Sequence, residues 1–344
     1  MASIKEIAAL ANVSIGTVDR VLHNRGRVSK ETKARIERIV TKLGYRPNIH
    51  ARNLSLDRGY DFRIIIPRPS QDSGYWKIAV NGIEKAGREL QVYQVLLHFH
   101  FFDRYSERSF QHAFRGALRA KPDGLLLAPV LPGIGQKLIP TIPDSLPYVF
   151  IDSVIPGTSY LTFIGQDPFQ SGLLAARLML KSLPTKSSVA IVKVAPEDFH
   201  IAERIRGFQS GLMDSNQRDA NVYEVDSHGG EKSFAEVITR VLRENKDLGG
   251  IFVSNAWTHA IAKFVHEHPL GSQISLIGYD LVEQNVKALE KHMIDFLISQ
   301  RPEMQGYEGI YCLYEHVVLR DPVRQRIMVP IDILTKENVH YHRD

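Results

Sequence analysis

From Phe62 onwards, short apolar runs alternate with longer amphipathic runs, and this alternation restricts the possible folds more than any other feature of the sequence. Short apolar runs are typical of buried strands, and amphipathic runs are typical of helices. The first predicted strands cover residues 62 to 67, 91 to 97, 124 to 130 and 146 to 152. The helices predicted between them cover residues 75 to 90, 106 to 119 and 132 to 140. This order predicts a parallel sheet covered by helices.

The same alternation then starts again, which predicts a second lobe of similar build. Its strands are predicted at residues 188 to 194, 221 to 226, 249 to 254 and 274 to 280. Its helices are predicted at residues 168 to 183, 202 to 215, 231 to 244 and 257 to 268. The remaining pieces are a run at 293 to 300, a helix from Pro302 to Leu319 and a run at 325 to 334. They are too few for a third lobe, so we expect them to cross back between the two.

Two parallel sheets whose carboxyl-terminal strand ends face each other form a cleft, and ligands of open α/β sheets bind outside those ends. Eight polar or aromatic residues are therefore candidates for an effector site: Tyr75, Trp76, Asp152, Asp167, Arg204, Asn255, Asp280 and Gln300. Carboxylate, amide and guanidinium groups suit the hydroxyls of a sugar, and an aromatic ring suits its C–H face. Each residue also has a structural interpretation as a helix cap, a surface ion pair or a core ring.

The basic segment that precedes the α/β region has a sequence pattern that predicts three short helices. Ser3 caps the first helix, which we expect at 4 to 10, and Asn12 occupies a turn that needs a positive φ. Ser14 caps the second helix, which turns Val18, Val21 and Leu22 inward and Ile15, Gly16, Thr17 and Arg20 outward. Ser29 caps the third helix, and Gly44 ends it. This pattern predicts a helix-turn-helix, in which the second helix enters the major groove of DNA.

The distribution of charge supports this interpretation. The chain has 344 residues and a formal net charge of +5. Residues 1 to 58 contain 12 Lys and Arg against 5 Asp and Glu, a net charge of +7, which leaves −2 for the rest. Because neutralisation of phosphates drives the affinity of proteins for DNA, the basic excess indicates that the amino-terminal segment is the part that contacts DNA.

Two motifs in this segment carry a resemblance to a known family. The second helix contains Val13, Ser14, Thr17, Val18, Arg20, Val21 and Leu22, and the segment after the third helix contains Tyr45, Pro47, Asn48, Ala51, Arg52 and Leu54. With these residues the sequence resembles the LacI/GalR family of bacterial transcription regulators. The body resembles the ribose-type periplasmic sugar-binding proteins. Asn12 and Asp19 depart from the family, which commonly has Gly and Ser at these positions.

The resemblance implies three parts: a helix-turn-helix domain at 1 to 46, a hinge helix and linker at 47 to 58, and an effector-binding and dimerisation domain at 59 to 344. Lobe one would comprise about 60 to 166 and 296 to 322, and lobe two about 167 to 295 and 323 to 344. The residues implied to contact DNA are Ser14, Ile15, Gly16, Thr17, Arg20, Asn24, Arg25, Asn48, Ala51, Arg52 and Leu54. Among the effector candidates, Arg204, Asn255, Asp280 and Gln300 match polar positions of the family's binding motifs.

The function that the resemblance implies is that of a repressor, a homodimer or higher oligomer, whose affinity for double-stranded operator DNA is controlled by a sugar or sugar derivative. A purine-type co-repressor and a sugar-binding module without a regulatory role remain alternatives. An enzyme is not expected, because the sequence contains no phosphate-binding Gly loop, nucleophile elbow or HExxH motif. The sequence also predicts no cofactor.

No metal site is expected from the sequence either, because the histidine pairs 98/100, 266/268 and 340/342 lack completing ligands. Cys312 is the only cysteine, which excludes an intrachain disulfide and fits a reducing compartment. No apolar run is long enough to cross a bilayer, so we expect no membrane partner and a cytoplasmic protein.

Overall fold

Two units make up the chain, Met1–Arg58 and Gly59–Asp344. The computed structural model describes residues 4–22, 28–43, 59–183, 187–195, 198–213, 220–226, 230–269 and 271–342. Ser3, Gly44 and the whole predicted hinge at 47 to 58 lie outside these residues.

The described part of the amino-terminal unit, residues 4–22 and 28–43, contains the helices α1 (Ile4–Leu10), α2 (Ile15–Leu22) and α3 (Lys30–Leu43). Their apolar stripes meet in one small core, which consists of Ile7, Ala8, Ala11, Val18, Val21 and Ile36. Leu22 packs against this core while remaining partly exposed. The three predicted helices are thus present, and they share a core as their periodicity predicts.

Local side-chain chemistry begins two of these helices. Ser14 Oγ accepts a hydrogen bond from the backbone N–H of Thr17 at 3.1 Å, and Ser29 Oγ accepts one from Thr32 at 3.2 Å. Both serines therefore cap their helices as predicted. Asn12 has a φ of 49°, the left-handed conformation predicted for the turn between α1 and α2.

The second unit contains two six-stranded sheets, and its mixed α/β architecture confirms the predicted fold class. The first sheet has the order β11-β5-β4-β3-β1-β2, and all of its strands are parallel. Its strands are β1 (Tyr60–Pro67), β2 (Val95–Phe102), β3 (Gly124–Leu127), β4 (Tyr148–Ile151), β5 (Thr162–Gly165) and β11 (Arg326–Met328). The helices that accompany it are α4 (Tyr75–Leu90), α5 (Glu107–Arg119), α6 (Pro132–Leu138) and α12 (Pro302–Tyr314), which continues into a π-helical turn (Glu315–Leu319).

The second sheet repeats this arrangement with the order β12-β10-β9-β8-β6-β7. Its strands are β6 (Ser188–Ala195), β7 (Asn221–Asp226), β8 (Leu248–Val253), β9 (Ser275–Tyr279), β10 (Phe296–Ser299) and β12 (Asp332–Leu334). Only β12 is antiparallel to its neighbour within this sheet as described. Its helices are α7 (Pro168–Ser182), α8 (Phe199–Met213), α9 (Gly230–Glu244), α10 (Thr258–His266) and α11 (Glu283–Glu290).

Close contact between α7 and α8 fixes the helix that carries a candidate site residue, Arg204. A Cβ atom on Gly172 would lie 2.0 Å from the carbonyl oxygen of Arg204, and one on Gly207 would lie 2.0 Å from that of Phe169. A helix backbone approaches a carbonyl oxygen this closely only where the residue that faces it has no Cβ atom. The two glycines therefore set the position of Arg204 relative to the second sheet.

The predicted lobe boundaries are wrong near the carboxyl terminus. The prediction places residues 296 to 299 in lobe one, but β10 pairs with β9 and β12 of the second sheet. It places residues 326 to 328 in lobe two, but β11 pairs with β5 of the first sheet. The apolar run of β10 completes the core of the second sheet, where Leu297 and Ile298 are fully buried, and the chain crosses between lobes only after this strand.

Two local predictions also need correction. The strand predicted at 91 to 97 begins only at Val95, because Gln91–Tyr93 form a 3-10 turn and Gln94 adopts a φ of 60°. The sequence reasoning also missed α11 (Glu283–Glu290), a short helix between β9 and β10.

Candidate functional site

Polar side chains from both lobes meet at the carboxyl ends of the two sheets. Asp152 directly follows β4, and Asp280 directly follows β9. Both are buried, and both have a positive φ, of 69° and 70°. We call the group around them the interlobe cluster, which consists of Asp72, Tyr75, Arg104, Asp152, Asp198, His200, Arg204, Asp280 and Gln300.

In the second lobe, three predicted site residues form one hydrogen-bonded chain. Gln300 Nε2 donates to both carboxylate oxygens of Asp280 at 3.0 Å, and Arg204 Nη2 donates to Gln300 Oε1. The Arg204 guanidinium also donates from Nη1 to the Ser254 carbonyl at 3.0 Å and lies 4.0 Å from the centre of the Tyr279 ring. This stacking and hydrogen bonding fix the guanidinium plane.

Asn285 holds the backbone around Asp280 in place. Its side-chain amide donates to the carbonyl oxygens of Tyr279 at 2.7 Å, of Asp280 at 3.0 Å and of Ala256 at 3.0 Å. Asn285 is fully buried, so these bonds also satisfy an amide that would otherwise be costly to bury. It is a positioning residue that the sequence reasoning did not identify.

In the first lobe, two aromatic residues at the start of α4 bind carboxylates. The Tyr75 hydroxyl donates to Asp152 Oδ1 at 2.6 Å, and Trp76 Nε1 donates to Asp72 Oδ2 at 2.7 Å. The two rings meet edge to face with centroids 5.0 Å apart. Trp76 is only 1% exposed, so in this conformation its ring packs within the protein.

Ion pairs connect the two lobes directly. Arg104, which follows β2, donates to Asp72 of its own lobe at 2.5 Å and to Asp198 of the second lobe at 3.1 Å. His200 Nδ1 on α8 lies 2.7 Å from Asp198 Oδ1 and 3.4 Å from Asp152 Oδ2 of the first lobe. The cluster is therefore continuous across the cleft.

Gln305 on α12 makes a further connection through its amide. Its Oε1 accepts from the backbone N–H of Asp152 at 2.7 Å, and its Nε2 donates to the carbonyl oxygen of Gln300 at 2.8 Å. One buried side chain thus links the end of β4 in the first lobe to the end of β10 in the second.

Burial and charge give the three central carboxyl groups different proton affinities. Burial raises the pKa of Asp280 to about 6, although Arg204 and the Gln300 hydrogen bonds act in the opposite direction. Burial also raises the pKa of Asp152. Burial would raise the pKa of Asp198 as well, but His200 and Arg104 outweigh it and hold that pKa at about 2. The cleft thus holds one firmly ionised carboxylate and two that protonate more readily.

A cavity of about 590 Å³ lies next to the cluster, and residues of both lobes line it. On the first lobe these include Ser73 and Gly74, which lie between Asp72 and Tyr75 in the sequence. On the second they include Leu281 and Val282, which follow Asp280. The cavity thus lies between sequence neighbours of cluster residues, and the cluster side chains themselves do not line it.

Two of the eight predicted effector residues lie away from this network. Asp167 is exposed and accepts a hydrogen bond from the backbone N–H of Gln170 at 2.9 Å, so it is the N-cap of α7. This cap is the structural interpretation that the sequence left open for Asp167, and its role in effector binding stays a prediction. Asn255 is half-buried, and its amide donates to the Val194 carbonyl at 3.4 Å.

Four cluster members were missed: Asp72, Arg104, Asp198 and His200. Asp72 and Arg104 come shortly after β1 and β2, so the strand-end rule that found Asp152 could have found them too. Asp198 and His200 lie at the beginning of α8, where no periodicity distinguishes them from ordinary helix-capping residues.

On the first unit, α2 presents an exposed face. Ile15, Gly16 and Arg20 are exposed, whereas Val18 and Val21 are buried. Lys33 on α3 lies 3.9 Å from Glu37. Ser14 and Thr17 lie at the start of α2, where their hydroxyl groups are 2.9 Å apart. The other residues that the resemblance implies for DNA contact lie outside the described residues: Asn24, Arg25, Asn48, Ala51, Arg52 and Leu54.

A helix-turn-helix unit and a two-lobed α/β body with a polar interlobe cluster define a class of protein, the DNA-binding regulators that respond to a small molecule. Residues 3–48 match the model of bacterial regulatory proteins of the lacI family, and residues 64–319 match that of the periplasmic binding protein domain. The chain belongs to the lacI family of transcription regulators, with an effector domain of the periplasmic binding protein type.

Similar proteins agree with this assignment. The ribose operon repressor of Lactococcus lactis subsp. lactis is 24% identical over 352 residues, which cover 100% of this chain and 99% of the relative. The regulator RegA of Clostridium acetobutylicum is 43% identical over 96 residues, 28% of each protein. A solved protein from Bacteroides fragilis, assigned as a LacI transcriptional regulator, has a TM-score of 0.77 and 27% identity and covers 83% of this chain and 100% of its own.

No helix in the described part of the chain combines the length and the apolar character that a membrane span requires.

Proposed function

We propose that this regulator is a repressor whose affinity for its operator is controlled by a small carbohydrate-like effector bound at the interlobe cluster. The observation that carries this proposal is the buried set of Asp152, Arg204, Asp280 and Gln300 between the carboxyl ends of two parallel sheets. This is the position at which open α/β folds bind ligands.

The chemistry of the cluster suits a polyhydroxylated ligand. The cluster offers carboxylate acceptors, a guanidinium donor and a carboxamide, which together can bind adjacent hydroxyls in pairs. Tyr75 and Trp76 stand beside Asp152 and Asp72, where an aromatic ring can contact the C–H face of a sugar after the lobes open. The relative from Lactococcus lactis is a ribose operon repressor, which supports a carbohydrate as the ligand class.

The amino-terminal unit supplies the DNA contacts in this proposal. The exposed side of α2 would read bases in the major groove: Arg20 can pair with guanine, Ile15 can touch a thymine methyl, and Gly16 permits close approach. Thr17, Arg25, Arg27 and Lys33 would bind phosphates. The hinge at 47 to 58 would enter the minor groove, where Leu54 can wedge between bases.

One such unit covers only half of a pseudo-palindromic operator, so the proposed active form is a homodimer. The proposal places the protein in the cytoplasm, where bacterial operators lie. Effector binding would change the relative position of the two lobes, and by thermodynamic reciprocity operator DNA would change the affinity for effector by the same factor.

The interlobe ion pairs suggest how the effector acts. Arg104 and His200 bind carboxylates of both lobes, so they stabilise the closed arrangement of the cleft. A ligand that binds between the lobes must interact more favourably with one arrangement than with the other, because equal affinity for both would shift nothing.

The test uses the full-length protein and a panel of pentoses, hexoses, polyols, sugar acids, sugar phosphates and purines. A ligand that binds only the native state raises the thermal midpoint of unfolding. At a free ligand concentration of about 100 times its Kd, it stabilises the folded protein by about 2.7 kcal/mol. We expect at least one carbohydrate to do so and to weaken binding to an inverted-repeat operator in an electrophoretic mobility assay.

Two variants separate the two activities. Leu54→Ala should weaken operator binding and leave effector affinity within about twofold, because Leu54 lies in the hinge. Asp280→Ala should abolish the effector response and leave basal operator binding intact. Equal loss of both activities in each folded variant would contradict the proposed division of roles.

A further inference from the structure

Three potential metal ligands lie together within the interlobe cluster. One oxygen of Asp152, one oxygen of Asp198 and Nδ1 of His200 all lie within 4.8 Å of one another, and all three residues are buried. Two of the pairwise distances are 2.7 Å and 3.4 Å. Two carboxylates and an imidazole are donors that zinc and similar divalent transition-metal ions prefer.

One of these donor atoms lacks a hydrogen bond. Asp152 Oδ2 is buried and accepts no hydrogen bond from the described residues, with His200 Nδ1 3.4 Å away. His200 Nδ1 is in contact with Asp198 Oδ1 at 2.7 Å. The side chains of Asp152 and His200 are only 2% and 9% exposed, so water does not surround them. An unsatisfied buried carboxylate oxygen is costly, and its presence indicates a ligand that approaches it.

The net negative charge of the cluster also favours the binding of a cation. Among its described members, Asp72, Asp152, Asp198 and Asp280 provide four carboxylates against the two guanidinium groups of Arg104 and Arg204. With the neutral His200 that a metal ligand requires, the fully ionised cluster carries a net charge of −2, and a protonated His200 reduces this to −1. A net negative charge is unfavourable inside a protein in either case. A divalent cation would bring the net charge to zero.

We propose that Asp152, Asp198 and His200 bind a divalent transition-metal ion of the zinc type between the two lobes. Asp152 belongs to the first lobe, and Asp198 and His200 belong to the second, so the ion connects the lobes directly. Metal-to-ligand distances of about 2.0 to 2.2 Å require only small movements of the three side chains. Three protein ligands also leave a coordination position to which a hydroxyl of an effector can bind.

The sequence predicts no metal site, and the proposed site differs from that expectation because none of its three ligands belongs to the histidine pairs 98/100, 266/268 and 340/342. The inference concerns the same cleft as the proposed function but does not depend on the effector, since metal binding is measured without sugar and without DNA.

Isothermal titration calorimetry of chelator-treated, full-length protein with ZnCl₂ tests the proposal. We expect one site in the wild type that His200→Gln and Asp152→Asn each weaken by about 100-fold or more, because each removes a direct ligand. His98→Gln is the matched control: His98 lies 3.9 Å from Asp61 but is 48% exposed, and its replacement should leave this site unchanged. Circular dichroism with EDTA present checks that each variant is folded.

Equal Zn²⁺ affinity and stoichiometry in the wild type and His200→Gln would overturn the proposal, as would an equal loss in His98→Gln. A crystal of the wild type grown with ZnCl₂ provides a measurement that needs no variant. An anomalous difference peak at the zinc edge between Asp152, Asp198 and His200 is expected, and peaks at other sites with none at this position would refute the assignment.

Discussion

Asp152 and Asp280 occupy equivalent places in the two lobes, but their surroundings differ. Each follows the third strand of its sheet order, and each backbone N–H donates to the neighbouring strand, to Ile164 at 3.2 Å and to Ile298 at 2.9 Å. Asp280 receives hydrogen bonds on both oxygens from Gln300 of its own lobe. Asp152 receives one from Tyr75, and its second oxygen faces His200 across the cleft.

The two carboxylates therefore differ in where their partners lie. Both oxygens of Asp280 are hydrogen-bonded within the second lobe, whereas the second oxygen of Asp152 has its nearest polar neighbour, His200, in the opposite lobe. Arg204, Gln300 and Asp280 form a chain that does not need the first lobe. The environment of Asp152 therefore changes when the cleft opens, and that of Asp280 changes less.

The largest expected effect comes from Arg204→Ala, which disrupts the hydrogen-bonded chain around Asp280 in the second lobe. Removal of the guanidinium leaves Gln300 Oε1 and the Ser254 carbonyl unpaired and Asp280 without its compensating charge. We expect the free energy of unfolding in urea to fall by about 3 to 5 kcal/mol. Arg206→Ala is the control, since Arg206 is exposed and pairs with Glu203 on the same helix. A similar loss in both variants would contradict the special role of Arg204.

The next effect is the pH dependence that Asp280 gives to stability. Its pKa is about 6 in the folded protein and about 3.9 when unfolded, so the folded state binds the proton more tightly. Stability from this group is fully present below about pH 4 and is lost as pH rises to about 6.

Relative to Asp280→Asn, the wild type should lose about 2 to 3 kcal/mol between pH 4 and pH 7. Urea unfolding of both proteins at pH 4, 5, 6 and 7 with EDTA present measures this difference. A difference that stays constant over this range would show that burial does not disfavour the ionised form of Asp280.

A smaller effect is expected from Tyr75→Phe, which tests the surroundings of Asp152 in the first lobe. The change removes the donor to Asp152 Oδ1 and leaves the volume of the ring nearly unchanged. We expect a loss on the order of 1 to 2 kcal/mol in the free energy of unfolding. Tyr311→Phe, which removes a hydroxyl bonded to the exposed Glu89, should cost less. Equal losses would indicate that the buried Tyr75–Asp152 hydrogen bond contributes no more to stability than the exposed Tyr311–Glu89 bond.

The smallest effect is expected from Asp167→Ala, because Asp167 caps α7 and does not belong to the cluster. Loss of the cap should cost about 1 kcal/mol in unfolding and leave effector affinity unchanged. Calorimetric titration with the effector from the ligand panel measures that affinity. A clear loss of affinity would identify Asp167 as one of the binding residues.

Most of the fold follows from local pattern. The helix predicted near residues 75 to 90 is α4 (Tyr75–Leu90), whose apolar stripe forms one buried face. The site is less predictable: the strand-end rule located Asp152 and Asp280, but it also selected Asp167, whose side chain serves as a cap. A sequence pattern shows that a polar residue is near a strand end but not which partner its side chain meets.

By itself, the sequence determined the three amino-terminal helices, the exposed side of α2 and the two alternating series of strands and helices. Only the tertiary structure decided that β10 joins the second sheet and β11 the first, and that Arg104 and His200 reach across the cleft. The physical reason is that periodicity records which side of an element is buried against its immediate neighbours. Contacts between lobes depend on how two separate sheets are oriented, and residues far apart in the chain fix that orientation.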